Sequence, residues 1–192
     1  NARVLTCNLD GSGLTEFCGG IRNSFDIGFR LDGRLFGVEN GPNVGCDYAD
    51  EFNMLDLGQH YGFPYKYGND LSGSDSSYTC TSVGTAGPPP LPGGLATTPA
   101  WGNYGPDAKP GPGDLGYADG GVYYGFHPHS SPDGIDFYET ALMDPAAIKF
   151  PAEFEGRAFV VRFGNLEDVP KVGFDLLSLR LSDTDQGLDR KR

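Results

Sequence analysis

The sequence lacks any apolar run of the roughly 18 residues that a membrane-spanning helix needs. It has no C-x-x-C spacing, which argues against zinc-ribbon and thioredoxin-type redox sites. Positive charge is scarce, because 14 Lys and Arg residues stand against 26 Asp and Glu residues, for a net charge of −12. Such a surface repels nucleic acid and anionic membranes, so we expect neither as a partner.

Amphipathic helical patterns are also absent, whereas turn formers are abundant, with 30 Gly and 15 Pro residues. Short apolar stretches lie between these turns, and aromatic residues make up 12% of the chain. This composition is typical of a turn-rich β protein rather than of a disordered chain. A length of 192 residues fits one all-β domain with a sizeable core.

The most informative stretch is 20–64, which contains a predicted hairpin. Phe25, Ile27 and Phe29 alternate with polar or small residues, the period-2 pattern of a strand with one buried face. Asp32-Gly33 predicts the turn, and Arg34 to Glu39 returns as the second strand.

Polar residues cluster at the end of this hairpin that lies opposite the turn. Arg22-Asn23 comes before the first strand, and Glu39 to Asn43 follows the second. The two ends of an antiparallel hairpin are neighbours, so a cation, two amides and a Gly-Pro turn are expected to converge there.

The motifs of this stretch resemble those of the soluble glucose/sorbosone dehydrogenases, the sugar dehydrogenases that depend on pyrroloquinoline quinone (PQQ). The matches come in the family's order, and a weaker match follows at His129 to Gly134, with Phe137-Tyr138 and a strand from Ala158 to Phe163. The main matches are Arg22-Asn23, Gly33-Arg34-Leu35, Glu39-Asn40-Gly41-Pro42, Asp50-Glu51-Phe52-Asn53 and Gly58 to Pro64.

The resemblance implies a six-bladed β-propeller that binds PQQ and calcium. A blade takes about 40 to 50 residues, so this chain would hold about four at most and need the remainder of the propeller or a partner chain. The implied cofactor-binding residues are Arg22, Asn23, Asn40, His129 and Lys171. The resemblance also implies that the backbone carbonyls of Gly41 and Pro42 hold the cofactor-bound calcium, and that Asp50, Glu51 and the Tyr61 carbonyl form a second, structural calcium site.

Each of these assignments has a structural alternative. Arg22-Asn23 is also compatible with an ion-paired strand entry that forms an Asx-turn. Glu51 and Asn53 are equally compatible with residues that cap local turns. His60 replaces the Asn often found before Tyr-Gly in the family and is interpreted as a packing or turn residue.

The resemblance implies part of a dehydrogenase that oxidises a sugar hydroxyl by hydride transfer to the quinone. The family's catalytic His lies upstream of the segment matched by Arg22, and no His precedes Arg22 here, so the catalytic residues are unassigned. Glu139 stands near a position where the family has a basic cofactor contact. The alternative is therefore a non-catalytic, calcium-binding propeller module for a glycan or a protein.

Four cysteines permit two disulfides, and Cys7–Cys18 with Cys46–Cys80 is the favoured pairing of three. Cys7 and Cys18 flank a predicted hairpin turn and could face each other across it. The pairing would indicate an oxidising compartment and hence a secreted or periplasmic protein. The alternative is four free thiols.

The predicted domain covers 1–182, with a flexible tail at 183–192. Within it, 71–117 is a long loop rich in Gly and Pro, and long loops in compact domains are usually functional or mobile. Strands are predicted to resume after this loop. Their predicted ranges are Gly121 to Phe126, Ile135 to Tyr138, Arg157 to Phe163 and Val172 to Leu181.

Overall fold

The computed structural model describes residues 3–41, 50–67, 71–72, 90–98, 100, 126, 130–164 and 173–181. In these ranges the only helical elements are two single 3-10 turns, Thr140–Leu142 and Ala152–Phe154. All strand pairs between named strands are antiparallel, which confirms the predicted all-β class. No helix of the described residues is long and apolar enough to span a bilayer.

The first two sheets are built from consecutive strands. The β1–β2 hairpin stands as a two-stranded sheet, while β3, β4 and β5 form a three-stranded sheet in that order, sheet B. Gly33 has a φ of +89° in the β3–β4 turn, a conformation that Asp-Gly turns require, so the predicted hairpin is confirmed. The strands are β1 (Arg3–Thr6), β2 (Thr15–Gly19), β3 (Ser24–Phe29), β4 (Leu35–Glu39) and β5 (Glu51–Leu55).

The remaining strands form a two-stranded pair and a second three-stranded sheet, sheet D, in the order β10-β9-β8. A propeller blade is expected to be an antiparallel sheet of four strands, whereas the described sheets have two or three. The predicted strand at Gly121 to Phe126 lies outside the described residues except for Phe126, as do most of 71–117 and all of 183–192. The strands are β6 (Lys66–Tyr67), β7 (Leu71–Ser72), β8 (Pro132–Phe137), β9 (Ala158–Arg162) and β10 (Asp175–Leu179).

Sheets B and D pack face to face, and the main core lies between them. Phe36 stacks on Phe52 with ring centroids 5.5 Å apart, and Phe52 stacks on Phe126 at 5.8 Å. Burying one such side chain contributes about 2 kcal/mol. The other core residues are Val38, Ile135, Phe137, Ala158, Val160, Leu179 and Leu181.

The strand pattern of β3 was predicted correctly, but its covered face was not. Phe25, Ile27 and Phe29 are 67%, 44% and 68% exposed. The opposite face packs against β8, where the Asp26 carboxylate accepts a hydrogen bond from the Ile135 N–H at 3.0 Å. A Cβ on Gly28 would lie 3.4 Å from the Ile135 carbonyl oxygen. Strand β8 therefore packs on the face of β3 that carries Asp26 and Gly28 rather than the aromatic rings.

The predicted Cys7–Cys18 disulfide is wrong, because both thiols are free. Cys18 lies opposite Val4 in the β1–β2 register, whereas Cys7 lies beyond the end of β1. The two cysteines therefore do not face each other across the hairpin. Cys46 and Cys80 lie outside the described residues. The prediction of a secreted or periplasmic protein was based on two disulfides, and one of the two does not form.

Candidate functional site

The two segments predicted to converge at the end of the β3–β4 hairpin are in contact. Arg22 Nη1 donates to the carbonyl oxygens of Asn40 and Gly41, each at 2.9 Å. The Asn40 N–H donates to the Asn23 carbonyl at 3.1 Å. These bonds hold the chain after β4 against the chain before β3, so the guanidinium has a fixed position at the end of sheet B.

Glu39 is a buried carboxylate beside this contact. Its Oε1 accepts a hydrogen bond from the Arg22 backbone N–H, whereas its Oε2 has no hydrogen-bond partner among the described residues. Glu39 lies directly opposite Glu51 in the β4–β5 register. Burial, and then the negative charge of Glu51, raise the pKa of Glu39 well above its ordinary value.

Asn53 adds a second buried oxygen to the same region. Its Nδ2 donates to Glu51 Oε2 at 3.1 Å, while its Oδ1 has no hydrogen-bond partner in the described part of the chain. The side chain is only 1% exposed. A buried acceptor without a partner costs about 1 to 3 kcal/mol, so these oxygens favour a further donor or a cation nearby. No group of three or more His, Cys, Asp or Glu residues with metal-binding geometry occurs in the described ranges.

Asp50, an expected calcium ligand, connects three segments instead. Its Oδ1 accepts the Gly41 N–H at 2.7 Å, and its Oδ2 accepts the Ser130 hydroxyl and the Ser131 N–H, each at 2.9 Å. The residue is 2% exposed. Together with Arg22, Asp50 fixes the Gly41 peptide from both sides and ties the end of β4 to the start of β8.

An open groove of about 520 Å³ lies between β1 and the start of β3. Arg22 and Asn23, the two residues most strongly expected to contact a cofactor, both line it. Arg3 from β1 and Asp26 from β3 also line the groove, and apolar side chains from both strands complete its walls. A volume of this size is in the range of small-molecule sites.

The structure places Tyr61, the remaining expected calcium ligand in the described ranges, in the smaller apolar core beneath the β1–β2 hairpin. Its hydroxyl donates to the Met54 carbonyl and accepts the Asp56 N–H at 2.8 Å. Burial raises the pKa of this phenol, which therefore stays protonated at neutral pH. Pro42, His129 and Lys171, the other expected site residues, lie outside the described residues.

Glu139, which stands near a basic position of the family, connects two sheets. Its Oε2 accepts the Leu31 N–H at 2.7 Å, and its Oε1 lies 3.7 Å from Arg30 Nε. Glu139 thus anchors the β3–β4 turn to the segment after β8. This turn is at the opposite end of the hairpin from Arg22, so Glu139 does not join the groove.

The structure bears out the interpretation of His60 as a packing or turn residue, because its Nδ1 accepts the Gly62 N–H at 3.1 Å and its ring lies 6.2 Å from the Tyr65 ring. What the sequence did not predict is that His60 also lines a second, smaller cavity together with Glu16 and Arg3. The local signal for this close approach was the pair Gly19-Gly20, since adjacent glycines leave room for another side chain.

No protein-family model matches the sequence, and no curated protein shows significant similarity to it. The resemblance to the PQQ-dependent sugar dehydrogenases therefore depends on the short motifs alone. What the structure adds is the geometry of the residues in those motifs.

Proposed function

We propose that this chain is part of a PQQ- and calcium-dependent dehydrogenase that oxidises a sugar hydroxyl, and that it supplies residues that hold the cofactor. The observation that carries the proposal is the position of Arg22 and Asn23 on the groove, next to the Asn40–Gly41 segment. Residues from two separate motifs of the resemblance thus meet at one place.

The residues fit a quinone that carries carboxylates. Arg22 presents a planar set of N–H donors that suits carboxylate and quinone oxygens, and Asn23 adds an amide donor. The guanidinium is already held by two carbonyl oxygens, so little ordering would be needed when a ligand binds. When bound, PQQ would supply the acceptor for the hydride of the sugar.

Calcium fits one part of the expected ligand set better than another. The Gly41 carbonyl already accepts from the Arg22 guanidinium, whose positive charge disfavours a cation at the same oxygen. Both Asp50 oxygens accept hydrogen bonds from the protein. Glu51 lies beside Glu39 and Asn53. Glu39 Oε2 and Asn53 Oδ1 have no hydrogen-bond partner among the described residues, and carboxylate and amide oxygens are the ligands that calcium prefers. We therefore place the calcium-binding role at Glu51.

The test is a titration of the purified chain with PQQ, with and without calcium, followed by the quinone absorbance. Binding is expected for the wild type, and Arg22→Ala is expected to weaken it about tenfold or more, because a charge-assisted donor is lost. Arg34→Ala is the matched control, because Arg34 pairs with Asp32 at the other end of the same hairpin. Equal loss in both variants, or no binding by the wild type, would refute the proposal.

A second candidate is the non-catalytic module that binds a glycan or a protein. Glu139 favours it, because a buried carboxylate stands near the sequence position where the family has a basic cofactor contact, and it anchors the far end of the hairpin rather than the groove. The same titration separates the two candidates. A chain that is folded but gives no PQQ spectrum supports the module.

A further inference from the structure

A second cavity, of about 190 Å³, lies between the β1–β2 hairpin and the chain that follows β5. Its polar side chains come from Arg3, Glu16 and His60, and its apolar walls include Phe63 and Tyr65. The cavity is smaller than the 300 to 1,000 Å³ or so of drug-sized sites, so it suits a small ligand.

The His60 ring is held in one position at this cavity. Its Nδ1 accepts the Gly62 N–H at 3.1 Å, and its ring lies 6.2 Å from the Tyr65 ring. A Cβ on Gly20 would be 2.5 Å from Nδ1, so only glycine at position 20 leaves room for the imidazole. Backbone hydrogen bonds from Tyr61 to Gly19 and from Thr98 to His60, both at 2.9 Å, fix the surrounding chain.

These contacts determine what His60 can offer a ligand. Since Nδ1 already accepts a hydrogen bond, the ring proton resides on Nε2. The remaining polar group of the ring is therefore a hydrogen-bond donor.

Arg3 and Glu16 add both kinds of polar group without adding net charge. Arg3 Nη1 lies 2.7 Å from Glu16 Oε2, so the positive and negative charges compensate each other at the cavity. An anionic ligand would meet the Glu16 carboxylate and a cationic ligand the Arg3 guanidinium. A neutral ligand with adjacent hydroxyl groups can instead donate to Glu16 and accept from Arg3 while the ion pair stays intact.

We infer that this cavity binds a neutral, cyclic polyhydroxylated compound of the size of one monosaccharide, with its hydroxyl groups on Arg3, Glu16 and His60 and its apolar ring face toward Phe63 and Tyr65. This inference does not depend on the proposed function, because the cavity requires neither quinone nor calcium.

The experiment is a titration of the protein, labelled with 15N in its histidines, with D-glucose and with myo-inositol, in the absence of PQQ and calcium. The His60 ring resonances are expected to shift and to reach saturation. His60→Ala and Glu16→Gln are each expected to weaken binding about tenfold, since each removes one hydrogen bond to the ligand. Arg34→Ala, a surface variant remote from the cavity, is expected to bind as the wild type does.

Acetate and methylammonium serve as charged probes. If either shifts His60 as strongly as the polyols do, or if no polyol shifts it, the inference is refuted. Glu16→Gln keeps the shape of the side chain, so its result stands even if His60→Ala fails to fold. A titration with maltotriose identifies the source of the ligand. If maltotriose binds more tightly than glucose, the natural ligand is the end of a glycan, and if the two bind equally, it is a free monosaccharide.

Discussion

Asp50 is a short side chain on which three donors converge. Asp50→Ala would leave the Gly41 N–H, the Ser130 hydroxyl and the Ser131 N–H without their acceptor in a buried place. We expect the free energy of unfolding to fall by about 3 kcal/mol or more, measured by urea denaturation. Asp144→Ala is the control, because Asp144 is exposed and accepts one local bond from Ala146 at 2.8 Å. Its loss should be about 1 kcal/mol or less.

An equal loss of stability in the two Asp variants would mean that the Asp50 bonds contribute little. Calcium gives a second readout at the same residue. If Asp50 only connects protein segments, added calcium should change the free energy of unfolding of the wild type and of Asp50→Ala by the same amount. A selective gain for the wild type would instead assign Asp50 to a calcium site.

The sequence predicted which polar residues meet, but not how each would be used. The contact of Arg22 with Asn40 and Gly41 follows from hairpin geometry, because residues flanking paired strand ends are neighbours. The role of Asp50 depends on Ser130 and Ser131, which are far away along the chain. Local patterns carry no information about such a partner, so the role could not be predicted.

The β1–β2 hairpin shows why the positions of the cysteines in the sequence did not predict their pairing. Residues that flank a turn face each other only if the register pairs them, and here Cys18 pairs with Val4. Burial raises the pKa of Cys18 to about 11, so its thiolate is scarce at neutral pH. Cys7 is exposed.

We therefore expect iodoacetamide to label Cys7 in the folded protein at neutral pH, without prior reduction, and to label Cys18 only after denaturation. The labelled sites are assigned by mass spectrometry of peptides, so that Cys46 and Cys80 do not interfere. Cys7→Ser should abolish this signal, whereas Cys18→Ser serves as the control that keeps it. Labelling of Cys7 that requires a reducing agent would contradict the free thiols.

The strand β3 shows that an alternating sequence pattern predicts a strand but does not predict which of its faces is covered. Alternation correctly predicted a strand with two different faces, because side chains alternate across a strand. Which face is covered depends on the sheet that packs there, and β8 packs against Asp26 and Gly28. That sheet lies more than a hundred positions further along the chain, beyond the reach of any local pattern.

The described elements form layers, with the β1–β2 hairpin on one face of sheet B and sheet D on the other, and each interface has its own apolar core. The all-β class was predictable, because turn residues and short apolar stretches dominate the sequence. The face-to-face packing of sheets B and D resembles neighbouring blades, but a closed ring is not among the described elements. The aromatic face of β3 extends beyond the hairpin that partly covers sheet B, which leaves it open to solvent.

This open face has a measurable consequence for the molecule as a whole. Contiguous exposed apolar surface binds dyes such as bis-ANS, whereas apolar side chains scattered singly do not. The double substitution Phe25→Ser and Phe29→Ser removes the two most exposed rings of the face, so it should eliminate most of the dye fluorescence of the folded protein. The matched control is Leu142→Ser with Ile148→Ser, because these side chains are 68% and 100% exposed but belong to the segment between β8 and β9. Fluorescence that falls equally in both variants, or in neither, would mean that the β3 face is covered in solution.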